Sequence, residues 1–248
     1  MHSPMAVCSK LRWATAVTDA FRTRRPTLDR FFKLSAVVGK QSLTRALQYE
    51  ILFELPFKGR VLDYGGGNRA LYRRELRCEH YDSVNIDPKI DPTWVIAVDE
   101  PLPQDATGYD TALAINTLEH IFEAREVIEQ LGRALKPGGQ LLATTPFLYP
   151  IHAHPDDYFR PTPSWYRAAL GKAGFTDVEV VPLAWGSATT ALCSAGARGP
   201  FKTLRWKLAL LSDLLAFVVR NKVRSGGSLE AYLERYATAF FVRATKST

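Results

Sequence analysis

The pattern of apolar positions changes character near residue 58. Over residues 30–55, Phe31, Leu34, Val38, Leu43, Leu47, Ile51 and Leu55 recur at largely helical spacing, and Gly39 divides the stretch into two predicted helices. Pro56 and Gly59 punctuate the chain after them. From residue 60 short apolar runs alternate with amphipathic stretches. RVLDY reads as a buried strand, followed by a glycine loop and a predicted helix over about 69–77. SVNID, WVIAV and YDTALAI predict strands two to four, and EAREVIEQLGRALK an amphipathic helix ending in PGG. QLLATTP is a fifth strand, PSWYRAALGKAG a helix with Gly174 as its stop, DVEVVPLAW a sixth strand and YATAFFVRAT a seventh. Strands alternating with helices predict a doubly wound α/β sheet with helices on both faces.

One insertion, at about 186–230, interrupts that rhythm. Within it Phe201, Leu204, Leu208, Leu211, Leu215 and Val218 fall on one helical stripe, with Lys and Arg at both ends. Three readings stay open: a lid or packing helix over the core, an interfacial helix for an anionic membrane, or a dimerisation face. The expected organisation is an N-terminal helical segment over 1–57 and a main domain over 58–248 that carries this insertion.

Composition narrows the class. The 248 residues are 46% hydrophobic and 23% charged, which suits a globular chain long enough for a sizeable core. Cys8, Cys78 and Cys193 lie far apart, without metal-like spacing. So sparse and odd a set argues against a disulfide framework and suits a reducing compartment. The first residues lack the apolar run of a signal peptide, and no stretch reaches the roughly 18 apolar residues of a membrane span. The expectation is a cytoplasmic protein. Its net charge of +7 is uneven: residues 1–57 and 198–224 carry the excess, while the rest sums to −4. These two segments are either solvated basic faces or contacts for an anionic partner.

The glycine loop after the first strand occupies the usual ligand position of an open α/β sheet. Gly65-x-Gly67-x-x-Ala70 can be scored as a dinucleotide fingerprint, with Asp87 about twenty residues on for a ribose. Asp63, two residues before the first glycine, is an awkward neighbour for a pyrophosphate and suits a cationic cofactor instead. Four stretches in order, VLDYGGGN, VNIDPK, VDEPLP with YDTALAINTLEHI, and RALKPGGQLLATTP, resemble the class I S-adenosylmethionine-dependent methyltransferases. The resemblance is to the broad group typified by ubiquinone-biosynthesis and small-molecule enzymes, and it spans about residues 58–184. It implies a seven-stranded Rossmann-like methyltransferase fold with S-adenosyl-L-methionine as cofactor. By the same resemblance, Asp63 sits near the methionine end, and Gly65 and Gly67 give close backbone approach. Asp87 takes the ribose hydroxyls, Asp99 lies beside the adenine, and Asn116 meets the methionine moiety. For each acid the bland alternative is a loop residue or helix cap. Arg69 departs from the pattern, standing where the family often has a third glycine, so its side chain must point away and the following helix start is in question.

The loop after the fifth strand, FLYPIHAHPDDYFRPTPSWY, is where such enzymes place acceptor groups. His154 or His152 is the candidate general base, and Tyr158 and Arg160 are candidate acceptor-binding residues, with Arg160 suited to an anion. The same histidines and aspartates equally suit pinning the loop by hydrogen bonds. His-x-His with a nearby aspartate also has metal-ligand chemistry, but three ligands on one short loop make a weak signature, and no metal is assigned. Glu119 and His120 in LEHI recur in the resembling family and read as pocket-shaping residues, with His120 a further candidate base. Thr162 or Ser164 reads as a helix cap. Two functions follow. One is methyl transfer to an oxygen of a small molecule, sugar or lipid-linked glycan, with peripheral membrane contact through 201–222. The other is a non-catalytic module of the same fold that contacts nucleic acid or membrane through its basic segments. Nucleic acid is disfavoured, because those segments carry no recognised motif and TTPF lacks the Pro-Pro-aromatic signature of base-methylating enzymes.

Overall fold

The computed structural model describes residues 20–98, 100–153, 155–196, 199–223 and 228–248. Seven strands form one sheet: β1 (Arg60–Tyr64), β2 (His80–Asn85), β3 (Trp94–Val95), β4 (Tyr109–Ile115), β5 (Leu135–Pro146), β6 (Phe175–Leu183) and β7 (Ala239–Lys246). Their order is β3-β2-β1-β4-β5-β7-β6. All neighbours are parallel except β7, which runs antiparallel to both β5 and β6. The order reverses at β1, whose two neighbours are β2 and β4, and this opens a crevice at their carboxyl ends.

Period-two alternation sends side chains to two cores. Along β7, Phe240, Val242 and Ala244 join one cluster, and Ala239 and Phe241 the other. The first cluster is covered by α3 (Ala124–Ala134) and α4 (Pro163–Lys172), through Val127, Ile128, Leu131, Tyr166 and Leu170. The second is covered by α1 (Leu28–Val37), α2 (Leu43–Leu52) and the insertion. Leu43, Leu47 and Ile51 of α2 pack in the same cluster as Val61 of β1. Thr27 and Ser42 cap α1 and α2 as N-cap residues prefer, and Gly39 between them has φ +97°. Thr162 caps α4, and Gly174 stops it with φ +78°.

The insertion folds as α5 (Ser187–Ser194), α6 (Lys202–Val223) and α7 (Leu229–Glu234). Trp206, Leu210, Leu214 and Phe217 of α6 are buried, and the predicted stripe of Phe201, Leu204, Leu208, Leu211, Leu215 and Val218 is exposed. The buried face is set by a polar anchor. Asp213, 3% exposed, accepts from the Ala188 and Thr189 amides (both 2.8 Å) and the Thr189 hydroxyl (2.7 Å), so it caps α5. Trp185 Nε1 donates to the Leu210 carbonyl at 2.9 Å from the same side. Among the described residues no helix is long and apolar enough to cross a membrane.

Three predicted elements differ. No α-helix covers 69–77; a single 3-10 turn, Arg73–Glu75, stands there. The amides of Asn68 and Arg69 donate to Asp91 and Ile90 carbonyls, which ties the chain to the turn after β2 before a helix can start. The third strand is only two residues long, because the chain leaves the ladder at Ile96 to wall the crevice. The KPGG turn lies inside β5: pairing steps from Tyr109–Leu135 to Thr111–Gln140, and the intervening residues bulge out.

Candidate active site

A cleft of about 440 Å³ lies at the carboxyl ends of β1, β2 and β4. Gly65, Asp87, Asn116, Thr117 and His120 line it, with Val84, Ile90, Ile96 and Ile121 as apolar wall. The glycines follow from geometry. Gly65 has φ +94°, and a Cβ there would overlap the Thr117 hydroxyl; one at Gly66 would overlap the Asp63 carboxylate. Gly67 packs on the Ile90 carbonyl and is not among the cleft walls. Arg69 Nη1 reaches the Lys89 carbonyl at 3.2 Å, turned out of the loop as its position required.

Asp63 stands beneath the loop rather than in the cleft. It is fully buried and accepts from Tyr72 (2.8 and 3.1 Å) and Tyr81 (2.7 Å). Burial pushes its carboxyl up to about 6, against the lowering effect of the two hydroxyls and of nearby Arg73. Asp87 is half-buried at the cleft. Its Oδ1 accepts from the Lys89 amide at 2.9 Å, and its own amide donates to Asn85 Oδ1. Asn116 has φ +52°, a left-handed conformation uncommon outside glycine. Its amide donates to Thr144 (2.9 Å to O, 3.1 Å to Oγ1), and its Nδ2 to Oε1 of Gln48, at 3.0 Å. Gln48 went unnoticed in the sequence, although a glutamine among Leu43, Ala46, Leu47 and Ile51 on the apolar face of α2 was a readable signal. Asp99 and His154 lie outside the described residues; Val98, beside Asp99, lines the cleft.

On the other side of Asn116 the chain makes a 3-10 turn, Leu118–His120, and the loop after β5 docks on it. The Tyr158 amide donates to the Glu119 carbonyl at 2.8 Å, and His120 Nδ1 meets the Asp156 carbonyl at 2.5 Å. Asp157 organises the loop: it accepts from the His152 amide (2.9 Å) and forms a two-point ion pair with Arg160. That guanidinium holds the Asp157 carboxyl down at about 2. Arg160, expected to hold an anionic acceptor, spends its fork on Asp157 and on the Phe159 carbonyl. Tyr158 is half-exposed, its hydroxyl 3.2 Å from Asp156 Oδ2 and its ring against Phe122.

His152 faces inward from this loop. Its Nδ1 is 3.2 Å from the Pro150 carbonyl and 3.3 Å from Asp157 Oδ2. Its Nε2 is 3.9 Å from Glu119 Oε1, and burial lowers its pKa, which favours the neutral ring. Glu119 is 0% exposed, neither carboxylate oxygen has a hydrogen-bond partner among the described residues, and burial pushes the carboxyl up to about 8. His120 Nε2 stands 3.7 Å from the same oxygen, and one ligand atom from each of Glu119, His120 and His152 lies within 4.8 Å of the others.

Residues 38–180 match the model of a methyltransferase-domain family. No curated protein matches the chain at the level of sequence. Among solved structures, the methyltransferase in complex with the Haloferax volcanii Trm112 methyltransferase activator superposes with a TM-score of 0.53 at 17% identity, covering 89% of this chain and 95% of that one. An S-adenosylmethionine-dependent methyltransferase from Thermotoga maritima gives 0.51 at 15%, covering 88% and 94%. A Haemonchus contortus phosphoethanolamine N-methyltransferase 2 bound to S-adenosyl-L-methionine gives 0.47 at 16%, covering 83% of this chain; the match spans about half (52%) of that longer chain.

Proposed function

The chain belongs to the methyltransferase-domain family, and from that premise we propose that it is an S-adenosylmethionine-dependent enzyme that methylates an oxygen of a small molecule, sugar or lipid-linked glycan. The observation that carries the reading is His152: a ring with Nδ1 engaged and Nε2 turned inward, on the loop after β5, beside the cleft wall formed by His120. An oxygen acceptor must lose a proton as the methyl arrives, and a neutral imidazole next to the cleft suits that task.

In this reading Asp87 holds the ribose hydroxyls, Gly65 and Asn116 border the methionine end, and Asp99 stands by the adenine. Asp63 supports the loop from below. His152 and His154 handle the acceptor's proton, Tyr158 borders the acceptor, and Arg160 contributes by fixing the loop through Asp157. Transfer then depends mainly on aligning the oxygen with the methyl carbon, which a docked, ion-paired loop favours. The exposed apolar stripe of α6, with Lys202, Arg205 and Lys207 at its start and Arg220 and Lys222 at its end, supports an acceptor at an anionic membrane surface.

Two measurements test this. Tracing the methyl group of labelled cofactor into a cell extract should yield an O-methylated product; label only in amines or on nucleic acid would overturn it. Asp87→Ala should weaken S-adenosylmethionine binding by about tenfold or more, the worth of a lost charged hydrogen bond. His152→Ala should lower turnover and leave cofactor affinity alone. Unchanged turnover removes His152 from the reading.

A further inference from the structure

Glu119 is the anomaly of this molecule. A buried carboxyl is ordinarily neutralised by a proton, a cation or several donors, because leaving the charge bare costs several kcal/mol. Here the side chain is 0% exposed and both oxygens lack a hydrogen-bond partner among the described residues. The basic nitrogens beside it are two imidazole atoms, at 3.7 Å (His120 Nε2) and 3.9 Å (His152 Nε2), too far for hydrogen bonds.

The outer nitrogens of those rings are both occupied. His120 Nδ1 meets the Asp156 carbonyl at 2.5 Å, and His152 Nδ1 lies by the Pro150 carbonyl at 3.2 Å and Asp157 Oδ2 at 3.3 Å. Each arrangement keeps a proton on Nδ1 and leaves a lone pair on Nε2, as the outer partners of metal-bound histidines do. Asp157 is in turn held by Arg160, so the support for His152 is itself fixed. Three inward-facing lone-pair donors therefore converge, with no hydrogen bond between them and with their outer atoms anchored. Two ligands bound at about 2.1 Å stand roughly 3.0–3.4 Å apart, so the two carboxylate–imidazole separations need to close by about half an ångström and the whole set, within 4.8 Å, by about an ångström or more.

We propose that Glu119, His120 and His152 form a binding site for a divalent first-row transition ion, of the zinc or manganese class, on the acceptor side of the cofactor cleft. Two imidazoles and one carboxylate are the ligand chemistry of such ions and suit magnesium or calcium less, which prefer all-oxygen sites. Three protein ligands leave further positions open, as in catalytic rather than structural sites. His120 is shared between the ion and the cleft wall, which places the open positions near the transferring methyl.

The binding of the ion stands independently of the acceptor; only its use rests on the oxygen-methylation reading. An acceptor hydroxyl bound to the ion becomes more acidic and releases its proton to solvent. The oxygen then bonds the sulfonium methyl carbon, and the carbon–sulfur electron pair stays on sulfur, leaving S-adenosylhomocysteine and a methyl ether. His152 serves the acceptor's deprotonation in both states: as base while the ion is absent, and as a ligand of the ion that acidifies the hydroxyl once it is bound.

The test uses the full chain, stripped with chelator and freed of it. Titration calorimetry with Zn²⁺, and electron paramagnetic resonance with Mn²⁺, should each find one site per chain. Glu119→Gln and His152→Ala should each weaken that site at least tenfold while S-adenosylmethionine binding stays intact, which also certifies the fold. His152 lies on a surface loop, so its variant remains informative if Glu119→Gln proves unstable. No binding of either ion, or binding that survives both substitutions, overturns the site. Neither measurement includes an acceptor, so failure to find an O-methylated product leaves this result unaffected, and the reverse holds too.

Discussion

Two carboxyls, Asp63 and Glu119, are both 0% exposed and each is next in the chain to a residue that lines the cleft, yet the fold treats them differently. Asp63, in β1, takes hydroxyl hydrogens from Tyr72 and Tyr81, and burial raises it to about 6. Glu119, on the turn after β4, has no such donor among the described residues, and burial raises it to about 8. The hydroxyls favour the ionised form of Asp63 and offset part of the burial cost. The difference separates foundation from working surface. The acid of β1 is fully engaged beneath a loop whose backbone makes the cleft. The acid of the turn after β4 keeps its capacity open at the point where two histidines and the docked loop meet.

The largest effect should come from disturbing the engaged acid. A methyl group on Gly66 would overlap the Asp63 carboxylate, and two tyrosine hydroxyls prevent that group from moving away. Gly66→Ala should therefore displace the loop. It should cost about 3 kcal/mol or more in urea unfolding and weaken cofactor binding by on the order of a hundredfold, given by calorimetry. Near-normal cofactor affinity would mean that Asp63 does not set the loop's position, and the contrast with Glu119 would lose its cofactor side.

What could be read from the chain follows the same division. The strands, α3, α4 and the loop glycines were legible because alternation, amphipathic period and glycine demand are local. YDTALAI and RVLDY carry their core faces in five to seven residues. Asp63 was legible as important, but its position beneath the loop depends on Tyr72 and Tyr81, nine and eighteen residues away, and no local pattern links them. The helix expected over 69–77 failed because the Asn68 and Arg69 amides bond across to the turn at 87–91, a tertiary choice that overrides propensity. In α6 both faces are apolar, so the stripe alone could not tell which one is buried; Asp213, the sole acid between 198 and 224, was the clue. Glu119 was hardest. A three-residue 3-10 turn has no period, and nothing in LEH announces a fully buried glutamate.

The smallest effects are those of proton and hydroxyl on Asp63, and they test whether its partners are what distinguishes it. An acid with a raised folded pKa keeps its proton longer in the folded state. Between 3.8 and about 6 the folded protein thus binds more protons than the unfolded chain, and this group's contribution to stability falls as pH rises. Above 6 the contribution is flat. The loss across the window should be on the order of 2–3 kcal/mol, read as the difference between urea unfolding profiles of the unmodified protein and Asp63→Asn. Parallel profiles would refute a raised Asp63. Tyr81→Phe then moves Asp63 toward the condition of Glu119. With one donor gone its pKa should climb further, so the fall in stability should extend above pH 6. The variant should cost about 1–2 kcal/mol at pH 7, where Asp63 is ionised, and much less near pH 4, where it is protonated. A cost equal at both pH values would show that the ring's packing matters and the hydroxyl does not, and the two buried acids would then differ less than their surroundings suggest.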